Sequence, residues 1–333
     1  MEKKIVLTGD RPTGPLHLGH YEGSLKNRLL LQENYQQYIM IADIQALTDN
    51  YDKPEILEEN IFHILACYLA VGLDPDKNFF FLQSKIPELA ELTIYFMNLV
   101  SLSRVQRNPT IKEELKQKGF EETVQVGFLC YPISQAADIL LFKSNLIPVG
   151  NDQLPMIEQT NEIAKTFNHT YKKEFFTHVE PLVSNTGRLI GIDGKSKMSK
   201  SIKNALFLND SKEKLSENIM KMYTDPLHLK ISDPGQIEGN VVFTYLDTFD
   251  KNKEELEALK KHYQNGGLGD IFLKKRLLTI LEELLLPIRE KYIFFIHKKQ
   301  LLKEILESHT QCMQKIAKKN MKEIKEIMKI SYF

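Results

Sequence analysis

The sequence has little cysteine, with only Cys67, Cys130 and Cys312 among 333 residues. They lie far apart, are odd in number and form no Cys-x-x-Cys pair, so neither a disulfide framework nor a thiolate zinc site is expected. No apolar run approaches the roughly 20 residues that span a membrane. The first residues, MEKKIVLTGDRP, turn polar too early for a signal peptide. We therefore expect a globular protein of the reducing cytoplasm with no membrane partner.

Net charge of either sign is also missing, because 44 basic side chains balance 44 acidic ones. The distribution is uneven: residues 251–333 hold 18 Lys and Arg against 11 Asp and Glu, a balance of +7, so residues 1–250 carry −7. A basic C-terminal quarter suggests contact with a polyanion. A solvated, lysine-rich helical surface would give the same imbalance, so charge alone leaves both interpretations open.

Short apolar runs alternate with helical patterns over the first 200 residues. We expect strands near residues 5–7, 38–42, 79–82 and 145–149, and helices over 54–71 and 87–101, the first with Pro54 at its start and Gly72 at its end. This order predicts an α/β fold, a Rossmann-like doubly wound parallel sheet. Strand patterns nearly vanish from Ser211, where helices are expected near 211–222, 253–263, 268–285 and 298–331, the last packing on either part.

The first strand leads into a turn rich in Gly, Pro and Asp, and then into His17, Gly19 and His20. A helical pattern beginning at about Leu18 is expected to carry Tyr21, Leu25, Leu29 and Leu30 inward. The free N–H groups at the start of a helix, together with its dipole, favour an anion there. Two imidazoles could donate to a phosphate, and Gly19 would let a flat base or ribose approach the backbone. Taken alone, the histidines could equally cap the helix.

Two later segments add polar groups. Tyr131, Gln135 and Asp138 share one face of an apolar helix, where a carboxylate needs a partner; a helix cap or an internal ion pair would also explain Asp138. A Gly/Ser/Lys loop at 184–204 contains KMSKS at 197–201. Its lysines could fold over a polyphosphate, although such a loop is more often a solvated turn.

The order HLGH (17–20) and then KMSKS resembles the two signatures of the class I aminoacyl-tRNA synthetases. More narrowly, the chain is similar to the bacterial tryptophanyl-tRNA synthetases over nearly its whole length. The segments that carry this resemblance are TGDRPTGPLHLGHYEGSLKNR (8–28), YPISQAADILL (131–141), IPVGNDQ (147–153), KMSKS and DPGQIEGNVVFTYLDTF (233–249).

The resemblance implies an ATP-dependent ligase that joins L-tryptophan to tRNA(Trp) through an adenylate, with Mg²⁺ accompanying ATP. It implies a homodimer and two domains: a catalytic domain, 1–208, containing the KMSKS loop 194–204, and a helical anticodon-binding domain, 209–333. The implied catalytic residues are His17, His20, Lys197, Lys200 and Lys112. The implied ATP-binding residues are Arg11, Pro12, Thr13, Gly19, His20, Gly150, Asn151, Asp152, Leu189, Lys197, Met198, Ser199, Lys200 and Ser201. The implied amino-acid pocket is Asp138, Tyr131, Gln135, Gln153, Leu7 and Gln45, with Asp138 accepting the indole N–H.

Three positions depart from the tryptophanyl pattern, which often has Phe at Leu7, Met at Gln135 and His at Gln45. A Tyr-x-x-x-Gln-x-x-Asp set also resembles the tyrosyl-tRNA synthetase pocket, so tyrosine is the alternative substrate. A non-catalytic tRNA-binding paralogue would be expected to lose one signature, yet His17, His20, Lys197 and Lys200 are all present. An adenylate-forming ligase without tRNA would leave the basic C-terminal region unexplained.

Overall fold

The five strands form one parallel sheet. The structure, a computed structural model, describes residues 3–118, 124–183, 189–200 and 202–332. Within these ranges the strands follow the order β3-β2-β1-β4-β5. They are β1 (Ile5–Asp10), β2 (Gln36–Ile41), β3 (Asn78–Leu82), β4 (Leu146–Val149) and β5 (Glu180–Val183). The strand order reverses direction between β1 and β4, which is where doubly wound sheets leave a crevice for ligands. The predicted α/β fold is confirmed.

The helices of this first part lie on both faces of the sheet. They are α1 (Leu18–His20), α2 (Lys26–Leu31), α3 (Asp43–Asn50), α4 (Glu55–Val71), α5 (Pro87–Met97), α6 (Leu102–Arg107), α7 (Pro109–Lys118), α8 (Val126–Leu141) and α9 (Leu154–Tyr171). Alternate residues of β2 explain why both faces are covered: Ile39 and Ile41 join one hydrophobic cluster, while Tyr38 and Met40 join the other. Gly72 ends α4 at a φ of 106°, as expected of a glycine C-cap.

A π-helical turn, Tyr21–Leu25, separates α1 from α2. The extra residue in a π turn rotates the following face of the helix. The expectation that Leu30 points inward is therefore wrong: Leu30 is 72% exposed, and Arg28 is buried in its place. Leu25 is buried as predicted, whereas Tyr21 and Leu29 are only partly buried.

The remaining described chain is helical. Its helices are α10 (Lys212–Met220), α11 (Val241–Phe249), α12 (Lys253–Asn265), α13 (Asp270–Ile296) and α14 (Lys299–Ile327). We did not predict α11, because its sequence VVFTYLDTF is rich in β-branched and aromatic residues that favour strands. The Asn240 side chain starts it as a helix by accepting the N–H of Val242 at 3.0 Å.

The last helix, α14, packs back on the sheet and covers its edge strand, β3. His309 Nδ1 accepts the backbone N–H of Phe80 at 3.2 Å, and Thr310 Oγ1 accepts that of Leu82 at 3.3 Å. These bonds satisfy donors that an edge strand would otherwise leave unpaired. Asn320 Nδ2 donates to the carbonyl of Leu141, at the end of α8, at 2.8 Å. Through these three bonds, α14 contacts β3 and α8 of the sheet-containing part of the chain.

We predict that Asn320→Ala lowers the free energy of unfolding by about 1–3 kcal/mol, because it leaves the buried carbonyl of Leu141 without its donor. Gln314→Ala is the matched control: it removes another α14 carboxamide, which donates to the carbonyl of Lys85 through a solvent-exposed hydrogen bond. Its cost should stay within about 0.5 kcal/mol. Urea denaturation measures both, and equal costs would contradict the proposed importance of burial.

Candidate active site

The two histidines lie where the first loop becomes a helix. His17 is the N-cap of α1, and its backbone N–H donates to His20 Nδ1 at 3.2 Å. The ring centroids are 3.8 Å apart. Because Nδ1 of His20 accepts this bond, the ring carries its proton on Nε2 in the neutral form. His20 can therefore act as a neutral N–H donor.

Both imidazoles are held in the neutral form. Burial, followed by the charges of His20, Lys200 and Lys197, lowers the pKa of His17 to about 2. Burial also lowers the pKa of His20 to about 4, although the Asp10 carboxylate opposes the shift. Near pH 7 the pair offers polar N–H groups without adding positive charge.

The lysine loop lies directly on this turn. Lys200 Nζ donates to the carbonyl of Gly14 at 2.6 Å. The following segment forms two backbone hydrogen bonds with the first loop: the N–H of Leu18 to the carbonyl of Leu206, and the N–H of Leu208 to that of Leu16, each at 2.9 Å. The two signatures are therefore joined in space.

The lysines differ in environment. Lys197 is exposed, whereas Lys200 is partly buried, and burial lowers the pKa of Lys200 to about 8 despite the opposing charge of Asp10. Ser199 is also partly buried. Ser201 lies outside the described residues.

Gly19 is required by the packing of the protein itself. A Cβ at this position would lie 2.9 Å from two ring atoms of His17 and 3.6 Å from Met198 Sδ. The backbone N–H of Gly19 faces that sulfur at 3.4 Å. Met198 and Leu189 are buried, and the N–H of Met198 donates to the carbonyl of Leu189 at 3.1 Å. Their predicted contact with adenine stays a prediction.

An ion pair that the sequence analysis missed joins the two ends of the segment that carries the histidines. Arg28 Nη1 lies 2.8 Å from Asp10 Oδ2, and the Tyr68 hydroxyl donates to the same oxygen at 2.5 Å. Burial opposes ionisation of Asp10, but Arg28, His20 and Tyr68 outweigh it and lower its pKa to about 2. The pair ties the end of β1 to α2, so both ends of the histidine-bearing segment are fixed.

Residues 150–153 connect β4 to α9, and Asn151–Gln153 form a 3₁₀ turn directly before that helix. Gly150, Asp152 and Gln153 are partly buried and Asn151 is exposed. The Thr110 hydroxyl donates to the carbonyl of Asp152 at 2.8 Å, and Gln153 Nε2 donates to Asp152 Oδ2 at 3.1 Å. Lys112 is exposed on α7, two residues after Thr110. In the first loop, Arg11 is exposed, Pro12 is buried and Thr13 is partly buried.

Asp138 lies at the centre of a carboxamide cluster. Gln45 Nε2 donates to its Oδ2 at 2.9 Å, and Gln83 Nε2 donates to Oδ1 and Oδ2 at 2.9 and 3.0 Å. Gln83 Oε1 accepts the backbone N–H of Gln45 at 3.1 Å, which fixes the orientation of that amide. Burial raises the pKa of Asp138 to about 7, although both amide bonds oppose the shift.

The structure brings Gln45, one of the residues expected in the amino-acid pocket, into contact with Asp138, and adds Gln83. Leu7 is buried on β1. Gln135 is partly buried on α8, and the hydroxyl of Tyr131 donates to Glu114 at 3.0 Å. Gln83 follows the third strand directly. Its position at the carboxyl edge of a parallel sheet was the signal that could have identified it.

Among the described residues, no group of three or more His, Cys, Asp or Glu side chains could hold a metal ion. No described helix is long and apolar enough to cross a membrane.

A family model described as class I tRNA synthetases (W and Y) matches residues 1–286. The chain therefore belongs to the class I aminoacyl-tRNA synthetases, within the group for tryptophan and tyrosine. Inside that group it belongs to the tryptophan–tRNA ligases: it is 53% identical to the tryptophan–tRNA ligase of Streptococcus pyogenes serotype M3 over 100% of both chains, and 52% identical to that of Streptococcus mutans over the same share.

Solved structures agree with this assignment. The tryptophanyl-tRNA synthetase of Campylobacter jejuni, complexed with ADP and tryptophan, is 32% identical with a TM-score of 0.85 and covers 97% of this chain and 99% of its own. The tyrosyl-tRNA synthetase of Archaeoglobus fulgidus, 23% identical with a TM-score of 0.67, shows the fold alone.

We predict that KM for tryptophan rises as the pH falls from about 8 to about 6, because protonation near pH 7 removes the carboxylate that would accept the indole N–H. The pKa is raised from 3.8 to about 7, so the folded chain binds this proton more tightly than the unfolded chain. The contribution of Asp138 to the free energy of unfolding therefore falls as the pH rises from about 4 to about 7. Asp138→Asn should show a higher KM without this pH dependence. An unchanged pH profile in the variant would contradict the assignment.

Proposed function

We propose that the residues joined at the carboxyl edge of the sheet carry out tryptophan activation, with the contact between the lysine loop and the histidine turn as the observation that carries the proposal. The chain is an ATP-dependent tryptophan–tRNA ligase by family. The tryptophan carboxylate attacks the α-phosphate of ATP, and pyrophosphate leaves. The ribose at the 3′ end of tRNA(Trp) then accepts the aminoacyl group and releases AMP.

In this proposal, His17 and His20 stabilise the α-phosphate as negative charge builds up on its oxygens. Their low pKa values make them neutral donors, so they stabilise the charge through hydrogen bonds aimed at the transition state. A cationic imidazole would instead bind the ground-state triphosphate strongly, which lowers KM without raising kcat. Arg11, Pro12 and Thr13 would form the phosphate-side wall.

Lys197 and Lys200 would hold the β- and γ-phosphates as they leave, with Lys112 approaching from α7. The carbonyl of Gly14 already orients the Lys200 ammonium. Mg²⁺ usually keeps several waters and binds through substrate phosphates, so it needs no all-protein cage. When bound, it would neutralise phosphate oxygens, and we propose that it enters with ATP.

Asp138 would select the side chain. Gln45 and Gln83 donate to both of its oxygens, which leaves the carboxylate an acceptor for the indole N–H. A substrate without a donor would leave a buried acceptor unpaired, and that penalty supports strong discrimination. Leu7, Tyr131, Gln135 and Gln153 would complete the amino-acid pocket. Gly150, Asn151 and Asp152 would line the ribose.

We assign residues 1–208 to catalysis and 209–333 to recognition of the anticodon. The exposed lysines of the C-terminal helices support contact with a tRNA backbone. They include Lys298, Lys299, Lys303, Lys315, Lys318, Lys319 and Lys322 on or next to α14. We place the reaction in the cytoplasm, in keeping with the thiol state of Cys67, Cys130 and Cys312.

ATP–pyrophosphate exchange across amino acids tests the proposal: it should depend on tryptophan and not on tyrosine. His20→Ala and Lys200→Ala should each lower kcat for exchange by about 100-fold, because each removes an interaction made mainly in the transition state. Tryptophan affinity, measured by equilibrium dialysis, should change little. Equal losses of kcat and of tryptophan affinity would mean that these residues only hold the fold. Exchange driven by tyrosine alone would contradict the substrate.

We also propose a homodimer. Three exposed apolar side chains lie between residues 94 and 102, at the end of α5 and the start of α6. They are Ile94 (60% exposed), Met97 (38%) and Leu102 (62%). Val126, 74% exposed, begins α8, which packs against α5 and α6. Clustered exposed apolar residues of this kind mark association surfaces. A second copy would bury them through the isologous contact that is commonest in homo-oligomers.

Leu102→Asp combined with Ile94→Asp should shift the protein from dimer to monomer in sedimentation velocity, because both charges would be desolvated at the interface. Leu30→Asp is the control, since Leu30 is 72% exposed on α2 and is not one of the four residues that define this surface. A dimer that survives the double substitution would place the interface elsewhere.

A further inference from the structure

Asn204 follows KMSKS by three residues and is 2% exposed. Both the nitrogen and the oxygen of its side-chain amide form hydrogen bonds with the loop. Nδ2 donates to Asp193 Oδ1 at 3.0 Å, to Ser196 Oγ at 3.2 Å and to the carbonyl of Lys197 at 3.3 Å. Oδ1 accepts the N–H of Ser199 at 2.8 Å.

These contacts fix the backbone on both sides of Met198. The carbonyl of Lys197 and the N–H of Ser199 both belong to the KMSKS segment. The Asn204 side chain therefore fixes the backbone conformation of residues 197–199. The fit is close: a Cβ on Gly191 would lie 1.9 Å from Asn204 Nδ2. Glycine at 191 is therefore required by the position of this amide.

The same residue begins the segment that reaches the histidines. The carbonyl of Asn204 accepts the N–H of Ile192 at 3.0 Å. The chain then continues into Leu206 and Leu208, which bond to Leu18 and Leu16. Asn204 thus lies between the lysine loop and the segment 206–208, whose backbone bonds to the first loop hold the lysine loop next to the histidine turn.

We propose that Asn204 is a positioning residue for adenylate formation: its buried amide holds the backbone of residues 197–199 so that Lys197 and Lys200 face the phosphates. This inference rests on the proposed function of those lysines. The carboxamide of Asn204 supplies N–H donors and a carbonyl acceptor at the tip of one short side chain. An aspartate of the same size would lose the donors and would place a second carboxylate beside Asp193.

The first test is Asn204→Ala in ATP–pyrophosphate exchange. The expected result is a loss of about 100-fold in kcat/KM for ATP, because a shift of about 1 Å in a charged group aligned with the reaction has that effect. The dissociation constant for tryptophan should stay within about twofold of the parent, since the residues proposed for its pocket lie on β1, α3 and α8, after β3 and before α9, rather than in the lysine loop.

Asn168→Ala is the matched control. Asn168 is also buried, and its amide is equally engaged: it accepts from the N–H groups of Phe175 and Phe176 and donates to the carbonyl of Phe176 and to Glu174. It lies near the end of α9, after which the chain enters β5. The Asn168→Ala variant should lower Tm about as much as Asn204→Ala does. Its kcat/KM for ATP in the exchange reaction should nevertheless equal that of the parent, measured at a temperature where both variants are folded.

A charge-exchange pair tests the mechanism without relying on alanine. Asn204→Asp alone should be at least as impaired as Asn204→Ala, because two carboxylates then meet at about 3 Å. Adding Asp193→Asn restores a donor–acceptor pair and should recover about tenfold in kcat/KM for ATP. The recovery should be partial, because the donor to the carbonyl of Lys197 is still missing.

The outcomes separate the two proposals. Equal kinetic loss in Asn204→Ala and Asn168→Ala, or no recovery in the Asp193/Asn204 double variant, would overturn the positioning role. If Lys200→Ala leaves the rate of ATP–pyrophosphate exchange unchanged, the proposed function of the lysine loop fails. If Lys200→Ala is impaired while Asn204→Ala matches the parent, only the positioning inference fails.

Discussion

The active site depends on backbone pairing between two short segments far apart in sequence. Leu16 and Leu18 bond to Leu208 and Leu206, and this pairing brings the histidine turn and the lysine loop together. Main-chain bonds suit this purpose because they do not depend on side-chain identity and cost little further ordering once the flanking elements are packed.

Electrostatics divide the site into neutral and charged parts. His17 and His20 are kept neutral by burial, whereas Lys197 and Lys200 supply positive charge from the loop. An unpaired Asp10 would add a negative charge beside the site proposed for the phosphates. Arg28 and Tyr68 engage its carboxylate instead, so the end of β1 remains compatible with an anionic substrate.

The sequence allowed prediction of the parallel sheet, both signatures and the buried Asp138, because strand runs and short motifs are local patterns. It did not allow prediction of Arg28 facing inward, since the π turn at Tyr21–Leu25 changes the helical phase without a clear local signal. Gln83 and Asn204 were missed for another reason. Each acts through partners distant along the chain, so their roles appear only when the sheet and the loop are folded.

The position of α14 links the outer surface to the proposed amino-acid pocket. His309 and Thr310 bond the N–H groups of Phe80 and Leu82 on the edge strand, and Gln83, the next residue, holds Asp138. An edge strand without these partners would have free donors and a less defined end. Because the carboxamide that orients Asp138 begins where this strand ends, the geometry of the pocket depends on the C-terminal helix. The helix that carries the exposed lysines therefore also helps to define the amino-acid site.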